Sequence, residues 1–298
     1  MSRITATYKR VDAWLWGAES ERRLYITVSL LSVVMGLRVV LSPFRGLARI
    51  PQELFDPPVF LRWLDTPPSS GLILGVQIVG GLAALASACG RLRQATFALA
   101  WLALLFLGGL RASRGKIMHN DVLILLAAVP FLWATADAHF KGRRRSGRYG
   151  APIRAAMAVV VLAYFFTGYQ KVVSSGWTWV ASDNMRWVIY RASNSTAGHA
   201  PDLAHWIAQY PLLCQAIALA TLTIECGAPL VLVRPRLRVY LALAVTGFHT
   251  GIWLLLGLDY SMWIATSWIV LIDWDRVTQR SPLSESGHDG SPNLVLRT

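Results

Sequence analysis

Residues 163–179 read AYFFTGYQKVVSSGWTW and close an apolar segment that begins near Ala155. A lysine, Lys171, stands where that apolar run has not yet ended. A lysine at the centre of a bilayer costs about 2.5 to 3.5 kcal/mol on insertion scales, whereas one near a helix end can extend its ammonium to the interface. The position of Lys171 therefore fits either anchoring at the interface or chemistry.

The polar atoms of this segment share one helical face. Tyr164, Gly168, Lys171 and Ser175 follow one another at intervals of four, three and four residues, which is the spacing of one face of a helix. An ammonium held in an apolar pocket loses solvation, so a neutral amine that can remove a proton becomes available. Lys171 is therefore a candidate base.

The composition indicates an integral membrane protein. Hydrophobic residues make up 54% of the 298 residues and charged residues 15%, and the mean hydropathy is +0.44, whereas soluble domains average about 25% charged residues. The formal charge is +13, but the basic residues fall mostly between apolar runs and no nucleic-acid-binding motif is present. We therefore expect a lipid bilayer, and no nucleic acid, as the partner.

Neither a metal site nor a disulfide framework is predicted. The three cysteines lie inside apolar segments without a CxxC pair, and no Cys/His spacing or HExxH motif matches zinc.

Apolar runs after residue 23 predict an all-α, polytopic bundle of eight transmembrane helices. Residues 1–23 form an N-terminal basic segment, either a short interfacial helix or a frayed tail. Residues 24–275 form the transmembrane domain, and the Ser/Gly/Pro-rich residues 276–298 are expected to be a disordered tail. The predicted spans are 24–42, 71–89, 95–110, 121–137, 153–173, 207–233, 237–257 and 260–273.

Basic residues in alternate loops predict the orientation. With the N terminus inside, the inner set holds more than twice as many cations as the outer set, and the KGRRRSGR cluster at 141–148 is its strongest signal. Positively charged loops stay in the cytoplasm, so both termini are predicted to be cytoplasmic. This orientation places Lys171, Arg38, His249 and the His119-Asn120-Asp121 triplet in the outer half of the membrane. The connections 43–70 and 174–206 are then external, the first as a re-entrant or interfacial lid and the second with an amphipathic interfacial helix.

Several of these residues have two interpretations. His119, Asn120 and Asp121 open a helix, where Asn or Asp fits a helix cap and the triplet also fits a site. His249 fits a site or an interhelical hydrogen bond. Arg38 fits an ion pair with a carboxylate or phosphate, or an arginine that extends to the interface. Glu225, in the inward half of the sixth predicted span, is expected to be structural, either protonated or paired.

Three motifs resemble the HTTM domain, the membrane part of vitamin K-dependent gamma-glutamyl carboxylase and of many bacterial relatives. They are YFFTGYQKV with its Trp-containing loop, KIMHNDVLILLAAVPFLWATAD at 116–137, and FHTGIWLLLGLDYSMWIATSWIVLID at 248–273. The segment LFDPPVFLRWLDTPP at 54–68 is also similar to the external loop of that family. The likeness covers roughly residues 24–275.

The resemblance implies a site on the external side. The family's lysine, which acts with vitamin K hydroquinone and oxygen to generate a strong base, matches Lys171, and its late-span histidine matches His249. The family's Asn-His pair falls on His119-Asn120 in reversed order, so Asn120 stands where the carboxylase has histidine. Lys171 would be the base, with His249, Asn120 and His119 as the other catalytic candidates. The candidates for binding a reduced quinone are Tyr164, Gly168, Trp177 and Arg38.

The first hypothesis is accordingly a carboxylase-like enzyme of the bacterial inner membrane that modifies a peptide or small molecule outside the cytoplasm. The alternative is a non-catalytic membrane partner in the maturation or export of a small peptide. A transporter is less favoured, because no internal repeat is visible and the polar cluster lies on one side of the membrane. The oligomeric state is left open.

Overall fold

Helices form nearly all the regular structure in the computed structural model, which describes residues 3–115, 119–134, 138–195 and 198–278, with side chains from Thr7 onward. The α-helices are α1 (Arg3–Leu15), α2 (Glu21–Leu41), α3 (Ser70–Ala88), α4 (Arg93–Ala112), α5 (Val122–Ala128), α6 (Gly147–Ser175), α7 (Thr178–Ala181), α8 (Asn184–Ser193), α9 (Pro201–Ala208), α10 (Pro211–Gly227), α11 (Leu230–Val233), α12 (Leu237–Leu256), α13 (Ser261–Leu271) and α14 (Trp274–Thr278). Most of the predicted 276–298 tail, from residue 279 onward, lies outside the described residues.

The long apolar helices identify a multi-pass membrane protein. Among the described residues, α2, α3, α4, α6 and α12 are long and apolar enough to cross a membrane, and α9 with α10 makes a sixth candidate if that pair, bent by 104°, is one span. Each predicted span contains a helix, but His119–Trp133 and α13 are shorter. An 11-residue helix is about 16 Å long, against a hydrocarbon core of about 30 Å. Length therefore supports five or six crossing helices where eight were expected.

The bend in the sixth candidate has a local cause in Pro211, which follows Tyr210 at the start of α10. Tyr210 has φ −110° and ψ 94°, an extended conformation that the following proline favours. The helix is thereby interrupted, and α9 turns away from the axis of α10.

Close packing between small residues holds α2, α3 and α4 together. A Cβ on Gly36 would lie 2.8 Å from the Cβ of Ala84, and one on Gly80 would lie 2.5 Å from the Cβ of Ala103. Such contacts let helix backbones approach closely, which drives helix association within membranes.

The two long connections are packed segments. Residues 43–70 contain three 3₁₀ turns, Phe44–Arg49, Gln52–Leu54 and Val59–Leu61, and Phe44, Leu47 and Leu61 are buried in the main core. In the second connection, α8 buries Ile189 but exposes Trp187 and Tyr190. Both connections thus contain ordered, packed elements, and their positions at the membrane interface stay predictions.

We name the two ends of the bundle after two arginines of α2. Arg23 lies near the start of this helix and Arg38 near its end, about 22 Å apart along the helix. At the Arg23 end, two short strands, β1 (Glu19–Ser20) and β2 (Arg145–Ser146), pair antiparallel. Arg23 also donates to the carbonyl of Ile272, 3.3 Å away and just before α14, so α1 and α14 lie at the same end. This strand pair was not predicted.

Candidate functional site

The predicted polar face of α6 lies against α10 and α12. A Cβ on Gly168 would approach the Cβ of Glu225 and the Sγ of Cys226 to 2.8 Å, so glycine permits α10 to pack closely here. This approach brings Glu225 within reach of Lys171, one turn further along α6.

Lys171 and Glu225 form an ion pair. The Nζ of Lys171 lies 2.6 Å from each carboxylate oxygen, and 5.4 Å from the ring centroid of Trp179. The Glu225 side chain is 3% exposed and that of Lys171 is 21% exposed. Glu225 therefore has the paired state that was one of its expected forms, and the pair is closed on the Glu225 side and reachable on the Lys171 side.

Glu225 was expected in the inward half of its span and Lys171 in the outer half of the membrane. This difference in depth was wrong, because the two side chains meet at the same level of the bundle. α10 begins beyond the end of α6, where Gln215 donates to the carbonyl of Ala181 in α7 at 3.2 Å. Fourteen residues into α10, the chain has only returned to the level of Lys171.

The ion pair determines which atom can accept a proton. An ammonium bonded to both oxygens of a carboxylate is charged and has no lone pair, so Lys171 is not a free amine in this state. The carboxylate of Glu225 retains acceptor capacity. As a unit the pair can take up one proton, which resides on Glu225, and Lys171 acts as a base only after passing its own proton to that carboxylate.

A second buried pair lies two turns along α6. The hydroxyl of Tyr164 is 2.9 Å from Nε2 of His249, and both residues are nearly fully buried. The His249 ring stacks on Tyr260 at 4.9 Å between centroids, and Trp263 packs against both Tyr164 and His249. Among the described residues, Nδ1 of His249 has no hydrogen-bond partner. The pair thus has one hydrogen-bonding atom to spare.

At the Arg38 end, ion pairs connect α2 and α4 to the start of α5 and to the loop between α12 and α13. Arg38 bonds Asp121 at 2.6 Å and Asp259 at 3.1 Å, and Arg111 bonds the other oxygen of Asp121 at 3.1 Å. Of the interpretations open for Arg38, the structure has the pairing with carboxylates.

Asp259, in the loop between α12 and α13, is ionised more readily than usual. Burial alone would raise its pKa, but hydrogen bonds from Ser261 and the charge of Arg38 outweigh burial, so the pKa of Asp259 lies below its ordinary value. The backbone N–H of Ser261 donates to this carboxylate at 2.9 Å.

His119 and Asn120 belong to this network. The Asn120 side-chain amide donates to the carbonyl of Asp259, and the indole of Trp263 donates to the carbonyl of His119 at 2.8 Å. Asp121, not Asn120, is the N-cap residue of α5, and its side chain makes no capping bond. No hydrogen bond within the described chain joins His119 or Asn120 to His249, so the four catalytic candidates do not form a single hydrogen-bonded cluster.

Two tryptophans follow Lys171, and they differ in position. Trp177, the predicted cofactor contact, is 67% exposed, whereas Trp179 is the one that faces the ammonium. Sequence reasoning missed Trp179, Tyr260, Trp263 and the partnership of Glu225. One signal was available, since Glu225 is the sole carboxylate within residues 211–233 and a buried lysine requires an anion.

Within the described residues, no group of three His, Cys, Asp or Glu side chains could hold a metal ion. Neither a family model, nor a curated protein, nor a solved structure matches the chain. The site is therefore interpreted from its own geometry.

Proposed function

We propose that this multi-pass membrane protein is an enzyme in which the Lys171–Glu225 pair takes a proton from a lipophilic, quinol-like molecule. The reaction would serve the modification of a peptide or small molecule at the Arg38 end, which the cation distribution predicts to be extracytoplasmic. The observation that carries the proposal is an ion pair within apolar spans whose carboxylate is buried and whose ammonium is reachable.

The surroundings of the pair favour a lipophilic ligand. On α6, Phe166, Tyr169 and Val173 are exposed, and exposed apolar residues of a membrane span contact lipid. The ring centroid of Trp179 lies 5.4 Å from Nζ of Lys171. A ligand that reaches the exposed side of Lys171 would therefore meet an aromatic side chain beside the ion pair.

The residues fit a reduced quinone on the chemistry of their donors and acceptors. Such a cofactor supplies electrons and acidic hydroxyl protons. Glu225 would accept a hydroxyl proton, and the Lys171 ammonium would stabilise the oxygen anion left by its departure. Nδ1 of His249, which has no partner among the described residues, offers a further hydrogen bond.

The buried pair of Tyr164 and His249, two turns before Lys171 on α6, would hold this site in position. Their hydrogen bond fixes the orientation of the imidazole, and the surrounding rings exclude water from it. Tyr164, Gly168 and Lys171 occupy successive turns of one helix, so a rigid element holds both pairs at a constant spacing.

Quinol oxidation by protein in nanodiscs tests the proposal. Naphthoquinol and benzoquinol analogues are offered with oxygen to the wild type, to the double variant Lys171→Met/Glu225→Leu and to the control Gln170→Ala. The double variant removes both charges together, which avoids leaving one buried and unpaired. Because a positioned base contributes about a hundredfold or more, we expect the double variant to lose at least that factor and the control to retain the wild-type rate. A wild-type rate at background with every quinol would contradict the proposal.

A further inference from the structure

A pocket at the Arg23 end carries far more positive than negative charge. It has a volume of about 780 Å³ and lies among the ends of α2, α6 and α12 and the residues around α14. Its walls contain two carboxylates, Glu19 and Asp273, and six arginines. We call it the arginine pocket, after Arg23, Arg145, Arg154, Arg236, Arg238 and Arg276.

The two carboxylates pair with only half of these arginines. Glu19 binds Arg23 at 2.9 Å and Arg154 at 3.2 Å, and Asp273 binds Arg276 at 3.2 Å. In the part of the chain that the structure describes, the other three arginines have no carboxylate partner.

The remaining bonds of these arginines leave donors free. Arg145 donates to the carbonyl of Ala18 at 3.3 Å, and Arg238 donates to that of Val231 at 3.4 Å. The side chain of Arg23 is buried, and its Nε has no partner within the described chain. Arg238 also lies close enough to Arg23 and Arg154 for their charges to repel. Glu19 and Asp273 attract Arg238, but each of these carboxylates is already paired with another arginine. Like charges held together away from bulk water are unfavourable, and a bound anion would relieve that repulsion.

The pocket is also apolar along part of its wall. Val239 and Val277 line it and are 46% and 56% exposed, and Leu271 and Ile272 lie behind them. An adjoining pocket shares Arg145 and contains three further cations, Arg22, Lys141 and Arg143, and one carboxylate, Asp275. The excess of positive charge therefore continues along this end of the bundle. A cationic pocket with an apolar edge at the end of membrane helices fits an amphiphile with an anionic head.

We propose that the arginine pocket binds a phosphate ester anion, the head group of an anionic phospholipid, whose glycerol and acyl portions lie along Val239 and Val277. Guanidinium groups suit this ligand because their paired donors match two phosphate oxygens. Basic pockets between membrane helices bind anionic lipid head groups in this manner. The site is at the opposite end from the Lys171–Glu225 pair and does not depend on the proposed reaction.

Titration of the purified full chain tests this site. Protein in neutral detergent is titrated with phosphatidylglycerol, with phosphatidylcholine and with inorganic phosphate, and its unfolding temperature is recorded. We expect phosphatidylglycerol to raise the unfolding temperature saturably and phosphatidylcholine to have no effect. In the double variant Arg236→Gln/Arg238→Gln, the phosphatidylglycerol concentration at the midpoint should rise about 25-fold. In Arg236→Gln alone, which changes an exposed arginine, it should rise about fivefold.

A matched control separates a built site from general attraction between charges. Lys9→Gln/Arg91→Gln removes two exposed cations from elsewhere in the predicted cytoplasmic set and should leave the midpoint unchanged. A midpoint for inorganic phosphate equal to that of the lipid would support the phosphate site with a soluble source of the anion. Equal weakening in the control and the pocket variants, or no saturable effect of either anion, would overturn the proposal.

Discussion

The two charged clusters toward the Arg38 end use the same chemistry but differ in redundancy. In the network of Arg38, Arg111, Asp121 and Asp259, both Arg38 and Asp121 have two partners of opposite charge. Lys171 and Glu225 have only each other as charged partners among the described residues, and Lys171 is partly reachable. A group with two partners stays ionised when one of them changes, whereas a group with one partner responds to any proton that arrives. Redundant pairing therefore suits a scaffold, and solitary pairing suits a site that changes its protonation.

The largest effect is expected at the centre of the scaffold. Asp121→Ala would leave Arg38 with only the half-exposed Asp259 and Arg111 with no carboxylate, so we expect it to lower the free energy of unfolding by about 3 to 5 kcal/mol. Unfolding of the protein in micelles measures this loss, with Glu53→Ala at an exposed position as the control. If the free energy of unfolding falls by less than about 1 kcal/mol, the value of an exposed ion pair, the Arg38 network is not a stabilising scaffold and does not differ from the Lys171–Glu225 pair in that respect.

Glu225→Gln should cost less stability and more activity. The 21% exposed side chain of Lys171 can extend toward the interface when its partner is lost, so we expect a loss of about 2 kcal/mol. Quinol oxidation should fall to background, because the amide of glutamine cannot take up the proton that the carboxylate accepts. Retained oxidation in this variant would show that Glu225 is not the proton acceptor.

A milder change at the neutral pair shows how far the reactive region extends along α6. Tyr164→Phe keeps the ring and removes the hydroxyl that meets Nε2 of His249, which should cost about 1 kcal/mol and lower the oxidation rate without abolishing it. Tyr169→Phe, at a half-exposed position of the same helix, is the matched control. Equal rates in the two variants would confine the site to Lys171 and Glu225.

The smallest effect is expected at the edge of the network and depends on pH. The lowered pKa of Asp259 means that its contribution to stability is present at neutral pH and is lost as the pH falls through that lowered value. The Asp259 side chain is 45% exposed, so Asp259→Asn should cost about 1 kcal/mol or less at pH 7. This difference should shrink below about pH 4. A constant difference between pH 7 and pH 3 would show that the charge of Asp259 contributes nothing.

Local spacing predicted the face of α6 but could not predict its partners. Tyr164, Gly168 and Lys171 share a face because helical geometry requires it, and each does contact α10 or α12. The meeting of Lys171 with Glu225 depends on the register between α6 and α10, which is set by tertiary packing. No periodicity in either helix contains that offset.

The count of spans was limited in a similar way. Hydropathy recognises an apolar segment but not where its helix is interrupted. In the fourth predicted span, α5 gives way at Val129–Trp133 to a 3₁₀ turn containing Pro130, because proline lacks the N–H that continues an α-helix. Arg38 and the His119-Asn120-Asp121 triplet were predicted at one depth, and they lie together at one end of the fold. The separation of this network from the Tyr164–His249 pair required three-dimensional contacts.

The most direct measurement of the central claim is the charge exchange Lys171→Glu/Glu225→Lys, assayed for stability and for quinol oxidation together. The exchanged pair restores opposite charges at the same two positions, so we expect most of the stability lost in Lys171→Glu alone to return. Oxidation should remain at background, because the ammonium that would stabilise the oxygen anion has moved to the buried side. Full recovery of both properties, or a wild-type protein with no oxidation to lose, would contradict the account and leave the pair a structural one.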